Sequence, residues 1–172
     1  MQAPYRWNLR RLEPGRVLDV GCGIGRNLRH LDGNAVGIDT SQASVDVANS
    51  RGCVAYTVDD FGDSEDAVPG GFESLLFAHV LEHMPLSDAS DLMREYLPYI
   101  APGGQIIVIV PQEAGYASDD THINFLESSD VTSLMEDCGL VEIRDYSFPF
   151  PRRLGKFFRY NETVVVGRVP AS

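Results

Sequence analysis

No apolar run in this chain approaches the roughly 18 residues that a membrane-spanning helix requires. The first dozen residues carry Arg6, Arg10 and Arg11 where a secretory leader would place an apolar stretch. A soluble cytoplasmic protein is expected, with no membrane partner. Cysteine is scarce: Cys22, Cys53 and Cys138 are odd in number and far apart. That excludes a disulfide framework and a Cys-x-x-Cys metal knuckle and leaves three small buried side chains. Positive charge is short as well, with 14 Lys and Arg against 25 Asp and Glu, a net charge of -11. Such a balance repels phosphate backbones and disfavours nucleic acid as the main substrate. No Gly-Lys-Ser/Thr follows the glycines of the first strand, which excludes the phosphate loop of nucleotide hydrolases. Internal repeats and low-complexity stretches are absent too.

What is present fits one domain, 1–172, since 172 residues with 44% apolar content build a single substantial core. Val17–Val20 reads as a strand buried on both faces. It stops in three alternating glycines, Gly21, Gly23 and Gly25, which lack the Cβ that would keep a ligand from the backbone. Residues 26–31 then turn helical, with Leu28 and Leu31 on one face. Strand, glycine corner and helix start together make a ligand cradle. A dinucleotide fingerprint wants a further glycine where this chain has Arg26. Asp39 ends the next apolar run at roughly the twenty-residue separation of a carboxylate that receives two ribose hydroxyls. The pair points to a nucleoside whose phosphates are absent or secondary.

Further along, Ser41 caps a helix that runs to about Arg51 and ends at Gly52. A third strand, 54–58, stops at Asp59-Asp60-Phe61, placing carboxylates at the sheet edge where open α/β folds bind ligands. Asp60 is thus expected to accept from an exocyclic amine and Phe61 to flank a flat ring. A fourth strand, 72–79, delivers His79-Val80-Leu81-Glu82-His83-Met84 to the same edge. His79-x-x-Glu82-His83 matches the zinc signature of inverted metallopeptidases, which needs one continuous helix. The aliphatic strand before it and Pro85 after it leave little room for one, and no third ligand is marked downstream, so no metal is expected. A helix over 86–100, a central strand over 105–110, a long irregular connection over 112–127 and a helix over 130–138 follow. Two closing strands, 140–146 and 163–168, bracket a Pro-, aromatic- and Arg-rich flap, 147–161. The basic residues Arg152, Arg153, Lys156 and Arg159 within it read as a solvated face.

Taken together, the chain resembles the class I S-adenosylmethionine-dependent methyltransferases, in a bacterial small-molecule branch, over nearly its whole length. The carrying stretches are the run from Val17 to Gly25, then Val36-Gly37-Ile38-Asp39, His79 to Met84, the Pro102-Gly103-Gly104 turn with its strand, and Thr121-His122-Ile123-Asn124-Phe125. The resemblance implies an α/β three-layer sandwich with a Rossmann-like, seven-stranded, mostly parallel sheet whose last strand is antiparallel. It implies S-adenosyl-L-methionine as cofactor, S-adenosyl-L-homocysteine as product, and a small-molecule acceptor methylated on O, N or C. Gly21, Cys22, Gly23 and Gly25 would line the methionine part, with Asp19 shaping the loop. Asp39 and Thr40 would lie at the ribose, Asp60 and Phe61 at the adenine, and His79 beside the sulfonium. His79 and His122 are the candidate bases, while His83 reads as structural. Glu73 stands where the family more often has Asp, and the lid over the site is not evident. A module that keeps the cofactor pocket without catalysis and, disfavoured by Arg26, a nicotinamide-dependent oxidoreductase are the alternatives. A homodimer is compatible with the sequence.

Overall fold

The computed structural model describes residues 3–171. Met1, Gln2 and Ser172, which the single-domain expectation includes, lie outside the described residues. The chain opens with a helix, α1 (Ala3–Arg10), and then lays down β1 (Val17–Val20), α2 (Arg26–His30), β2 (Ala35–Asp39), α3 (Gln42–Ser50) and β3 (Val54–Thr57). A four-residue helical turn, α4 (Val58–Phe61), leads toward β4 (Phe72–Ala78), α5 (Leu86–Tyr96) and β5 (Ile100–Pro111). One turn of helix, α6 (Glu113–Tyr116), precedes α7 (Ser128–Asp137), β6 (Val141–Phe148) and β7 (Glu162–Arg168).

The strands form one seven-stranded sheet in the order β3-β2-β1-β4-β5-β7-β6. All pairings from β3 to β5 are parallel, and β7 runs antiparallel to both of its neighbours. This is the Rossmann-like methyltransferase architecture that the resemblance implied.

Alternation along the strands sends side chains to two separate cores. On one face Leu18, Ile38, Leu75, Phe77 and Val108 pack with Phe61 of α4, Met93 of α5 and Val131 of α7. On the other Val17, Leu76 and Ile107 pack with Leu9 of α1, Leu28 of α2 and Val45 of α3. A Leu, Ile or Phe fully withdrawn from water contributes about 1.5–3 kcal/mol, so the central strands, buried on both sides, anchor the molecule. Because β1 to β4 are parallel, their carboxyl ends at Val20, Asp39, Thr57 and Ala78 meet at one edge.

Several boundaries differ from the sequence expectation. No helix was expected at the start, yet α1 buries Asn8 and Leu9, and Trp7 stacks on Phe148 at a centroid distance of 6.3 Å. The helix expected over 86–100 ends at Tyr96 and continues only as a 3-10 turn, Leu97–Tyr99, because Pro98 lacks the amide that an α-helix needs. β5 starts earlier and β6 runs later than expected. Among the described residues, no helix is long and apolar enough to cross a membrane.

Candidate functional site

The glycine corner is tied to β2 before it reaches open space. The Gly21 and Cys22 amides both donate to the Ile38 carbonyl, at 2.8 and 3.0 Å. The Gly23 amide donates to Asp39 Oδ2 at 2.8 Å and the Ser41 amide to Asp39 Oδ1 at 2.9 Å. Each carboxylate oxygen therefore keeps a lone pair for a further donor. A Cβ on Gly23 would meet nothing within 4 Å, so this residue's backbone borders the open side. Gly25 differs: a Cβ there would lie 3.0 Å from Cys53 Sγ and 3.1 Å from the Ala48 Cβ. Its bareness lets α3 approach the corner, where a role lining the methionine had been expected. Gly21 would strike the Val80 side chain, which closes that side of the bend.

Two expected contributors face inward. Cys22 is buried, with its sulfur against the space above Gly37; burial pushes its thiol far up, with the carboxyls of Asp19 and Asp39 adding to it. Only its backbone is left to meet a ligand. Asp19 is wholly buried and neither carboxyl oxygen makes a well-aligned hydrogen bond. Burial raises its pKa to about 7, Asn27 opposes that rise and the negative Asp39 adds to it.

At the end of β3 the chain departs from the expected strand. Thr57 Oγ1 accepts the Asp60 amide at 3.1 Å and donates to the Asp60 carboxylate at 2.6 Å, a side-chain cap that starts α4 one residue earlier than a strand over 54–58 would allow. The turn swings Phe61 into the core at 2% exposure, where it meets Tyr99 edge-on at 5.0 Å and lies within 6.3 Å of Tyr56 and Tyr96. The expectation that its ring flanks a ligand is thereby corrected. Asp60 stays exposed, as does Thr40 beside Asp39.

His79 follows β4 with φ 59, in the left-handed region that a branched or ring-bearing side chain seldom adopts. Its Nε2 lies 2.9 Å from Glu162 Oε1 of β7 and its Nδ1 3.3 Å from Glu82 Oε1. Desolvation pulls its pKa down, but Glu162 and Glu82 outweigh it and hold the ring at about 10. With 41% of the side chain open to water, the two carboxylates dominate. The Nε2 of His79 is thus committed to Glu162, while its Nδ1 faces Glu82 without hydrogen-bond alignment, an arrangement that fixes the ring beside the sheet edge.

Beyond His79 the chain makes a 3-10 turn, Leu81–His83, not the continuous helix of an inverted metallopeptidase. Glu82 is 1% exposed, and neither carboxylate oxygen has a hydrogen-bond partner. Its backbone carbonyl accepts the Ile123 and Asn124 amides at 3.0 and 3.2 Å, bringing the connection after β5 onto the site. His122 arrives with that loop: its Nδ1 is 2.8 Å from the Tyr116 carbonyl and its Nε2 3.9 Å from Glu82 Oε1. His122, which the sequence marked as a candidate base and not as a ligand, thus stands beside Glu82 and His83.

A cavity of about 420 Å³ opens beside the corner, lined by Ala3, Arg6, Ile24, Arg26, Arg29, His30 and Arg51. Neither Asp39, Asp60 nor His79 lines it, and its four guanidiniums suit an anion, not a cationic sulfonium. The candidate site is the carboxyl edge itself, whose acidic groups favour a positively charged ligand without phosphates.

A family model described as a methyltransferase domain matches residues 3–144. The chain belongs to that family. Ajmaline N-methyltransferase of Rauvolfia serpentina is 33% identical over 107 residues, covering 56% of this chain and 36% of that protein. Ubiquinone biosynthesis O-methyltransferase of Alkalilimnicola ehrlichii is 32% identical over 107 residues, 56% of this chain and 41% of that protein. The matched stretch thus spans well under half the length of these curated relatives. Among solved structures, a SAM dependent methyltransferase from Archaeoglobus fulgidus superposes with a TM-score of 0.76 at 13% identity, covering 98% of this chain and 94% of that one. Phosphoethanolamine N-methyltransferase 2 of Haemonchus contortus, in complex with S-adenosyl-L-methionine, gives 0.72 at 16% identity over 96% of this chain and 52% of that one. These two likenesses show the fold. In this methyltransferase domain the residue that sequence reasoning passed over is Glu162, which carries no local motif and becomes visible only when β7 is placed in the same sheet as β4.

Proposed function

We propose that this methyltransferase domain binds S-adenosylmethionine at the carboxyl edge of β1, β2 and β4 and transfers its methyl group to O, N or C of a small molecule in the cytoplasm. The observation that carries the reading is the Asp39 carboxylate, locked by the Gly23 and Ser41 amides next to a glycine whose Cβ position is open. S-adenosylmethionine, when bound, supplies an electrophilic methyl on its sulfonium. Asp39 accepts from the two ribose hydroxyls with its remaining lone pairs, and Gly23 lets the ligand approach the backbone. Thr40 and Asp60 border the nucleoside, and the backbones of Gly21, Cys22 and Gly25 hold the bend in shape above the buried Asp19.

The enzyme's task is then to orient the acceptor, which supplies several kcal/mol of rate enhancement when the reacting atoms are held about 3 Å apart. His122 keeps Nδ1 on a carbonyl, so Nε2 is the basic atom offered to an acceptor that must lose a proton. The acceptor chemistry of the relatives, one an N- and one an O-methyltransferase, supports a small-molecule partner. A second reading, cofactor retention without transfer, draws on the commitment of His79 Nε2 to Glu162.

Calorimetry with S-adenosylmethionine and S-adenosylhomocysteine, followed by transfer of labelled methyl to a panel of phenols, alcohols and amines, tests both. Micromolar binding with label transfer is expected. Binding without label transfer across the panel favours the second reading, and absence of binding overturns the assignment.

A further inference from the structure

We infer that Glu82, His83 and His122 form a binding site for a first-row divalent cation of the Mn²⁺ to Zn²⁺ series at the carboxyl end of β4. One ligand atom from each of the three lies within 4.8 Å of the others. Glu82 is the second, independent indication: a carboxylate 1% exposed, with neither oxygen hydrogen-bonded. Buried polar groups normally find partners, and a bare carboxylate is the most costly to leave without one. His79 approaches Glu82 at 3.3 Å without hydrogen-bond alignment and spends its Nε2 on Glu162, so it compensates charge without filling the carboxylate's lone pairs.

The imidazoles are prepared as ligands. A carbonyl can only accept, so His122 Nδ1 carries the proton that it gives to Tyr116, at 2.8 Å, and leaves Nε2 as a lone pair directed toward Glu82. His83 Nδ1 stands 3.2 Å from both the carbonyl and the hydroxyl of Thr121, and donation to that carbonyl places the lone pair of the neutral ring on Nε2. Such backbone hydrogen bonds orient metal-bound histidines and fix their tautomer. Tyr116 stacks on His122 at 5.2 Å, and His83 lies 4.8 Å from it between ring centroids. Asp119 in turn accepts from the Thr121 amide and hydroxyl at 2.9 and 2.6 Å, so the loop is held before any ion arrives.

Two imidazoles and one carboxylate select borderline divalent cations over Mg²⁺, which prefers an all-oxygen shell. Donors around a tetrahedral ion with bonds of about 2.0–2.2 Å lie about 3.3–3.6 Å apart. Ligand atoms up to 4.8 Å apart must therefore close by about an ångström or slightly more on binding, a movement that the exposed His83 can supply. Three protein ligands leave coordination positions open. The use of those positions rests on the methyltransferase reading: an acceptor hydroxyl bound there would be made more acidic by the ion and would give its proton to water, the ion supplying the activation that His122 Nε2 supplies when no ion is bound.

The test is titration of tag-free full-length protein with Co²⁺, followed by its visible absorption, with Mg²⁺ as competitor and S-adenosylhomocysteine binding measured separately. One Co²⁺ per chain with micromolar affinity is expected, undisturbed by equimolar Mg²⁺. Glu82→Gln and His122→Ala should each weaken it at least tenfold. His83→Ala, at an exposed position, should do the same while folding and binding S-adenosylhomocysteine normally. Wild-type protein that binds Co²⁺ no better than His83→Ala overturns the site, even where S-adenosylhomocysteine still binds. Co²⁺ binding that persists when S-adenosylhomocysteine fails to bind upholds the site and removes the methyltransferase reading instead.

Discussion

The Gly23 amide, at the crest of the bend after β1, donates to Asp39 Oδ2 at the tip of β2 across 2.8 Å. One carboxylate thereby shapes the loop and keeps a lone pair on each oxygen for a further donor. Asp39→Ala removes a charged acceptor and leaves the Gly23 amide without its partner. Hydrogen bonds to charged groups contribute about 1.5–3 kcal/mol, so S-adenosylhomocysteine affinity should fall by about ten- to a hundredfold. Asp39→Asn keeps one acceptor oxygen and should lose less. Calorimetry on both variants checks the order, and equal affinity in wild type and Asp39→Ala would remove Asp39 from the ribose.

Gly23 and Gly25 share positive φ, at 52 and 78, but face different surroundings, and alanine at each should separate the two. A left-handed non-glycine residue costs about 1–2 kcal/mol, a cost common to both variants. Gly25→Ala adds crowding against Ala48 and Cys53, about 1–3 kcal/mol more where neighbours cannot give. It should melt clearly lower than Gly23→Ala while its remaining folded fraction binds ligand. Gly23→Ala should stay folded and lose affinity, because its new methyl enters the open side. Thermal melts paired with calorimetry distinguish these outcomes.

Phe61 and Asp60 adjoin in sequence yet part in space, one in the aromatic cluster and the other exposed. Truncation of a buried Phe costs about 3–5 kcal/mol, so Phe61→Ala should lower stability by about that much. Below its melting temperature, its affinity for S-adenosylhomocysteine should remain within a few fold of wild type. A large affinity loss with normal unfolding in urea would restore the ring to the ligand site.

The placement of Phe61 shows where sequence reasoning stops. β1, its glycine bend and Asp39 were legible because each rests on local pattern: an apolar run, bare backbone and an acid at a strand tip. The Thr57-Val58-Asp59-Asp60 stretch contained its own cap signal, but the β-branched residues around it favoured a strand, and a four-residue turn has no periodicity to oppose them. Glu82, His122 and Glu162 met for another reason. Their approach depends on the loop after β5 folding back onto Glu82 through the Ile123 and Asn124 amides, and on β7 entering the sheet antiparallel beside β5. Neither event leaves a mark within a window of a dozen residues. α1 was missed because its fixing contacts, Tyr146 to Asn8 and Tyr5 to Phe148, come from β6.

Asp19 makes stability depend on pH in a direction opposite to that of a paired carboxylate. Burial raises its pKa from 3.8 to about 7, so between those values the folded chain holds a proton that the unfolded chain has released. Stability then falls as pH rises through that window and levels off above it, with an integrated loss on the order of a few kcal/mol. Asp19→Asn carries no ionisable group there and should show a flatter profile, the two proteins diverging progressively between about pH 4 and pH 7. Other carboxyls titrate alike in both, so the difference between their urea midpoints isolates Asp19. A wild-type profile parallel to that of Asp19→Asn across this window would mean that the buried carboxyl keeps its ordinary pKa, and that a partner in the core holds it charged.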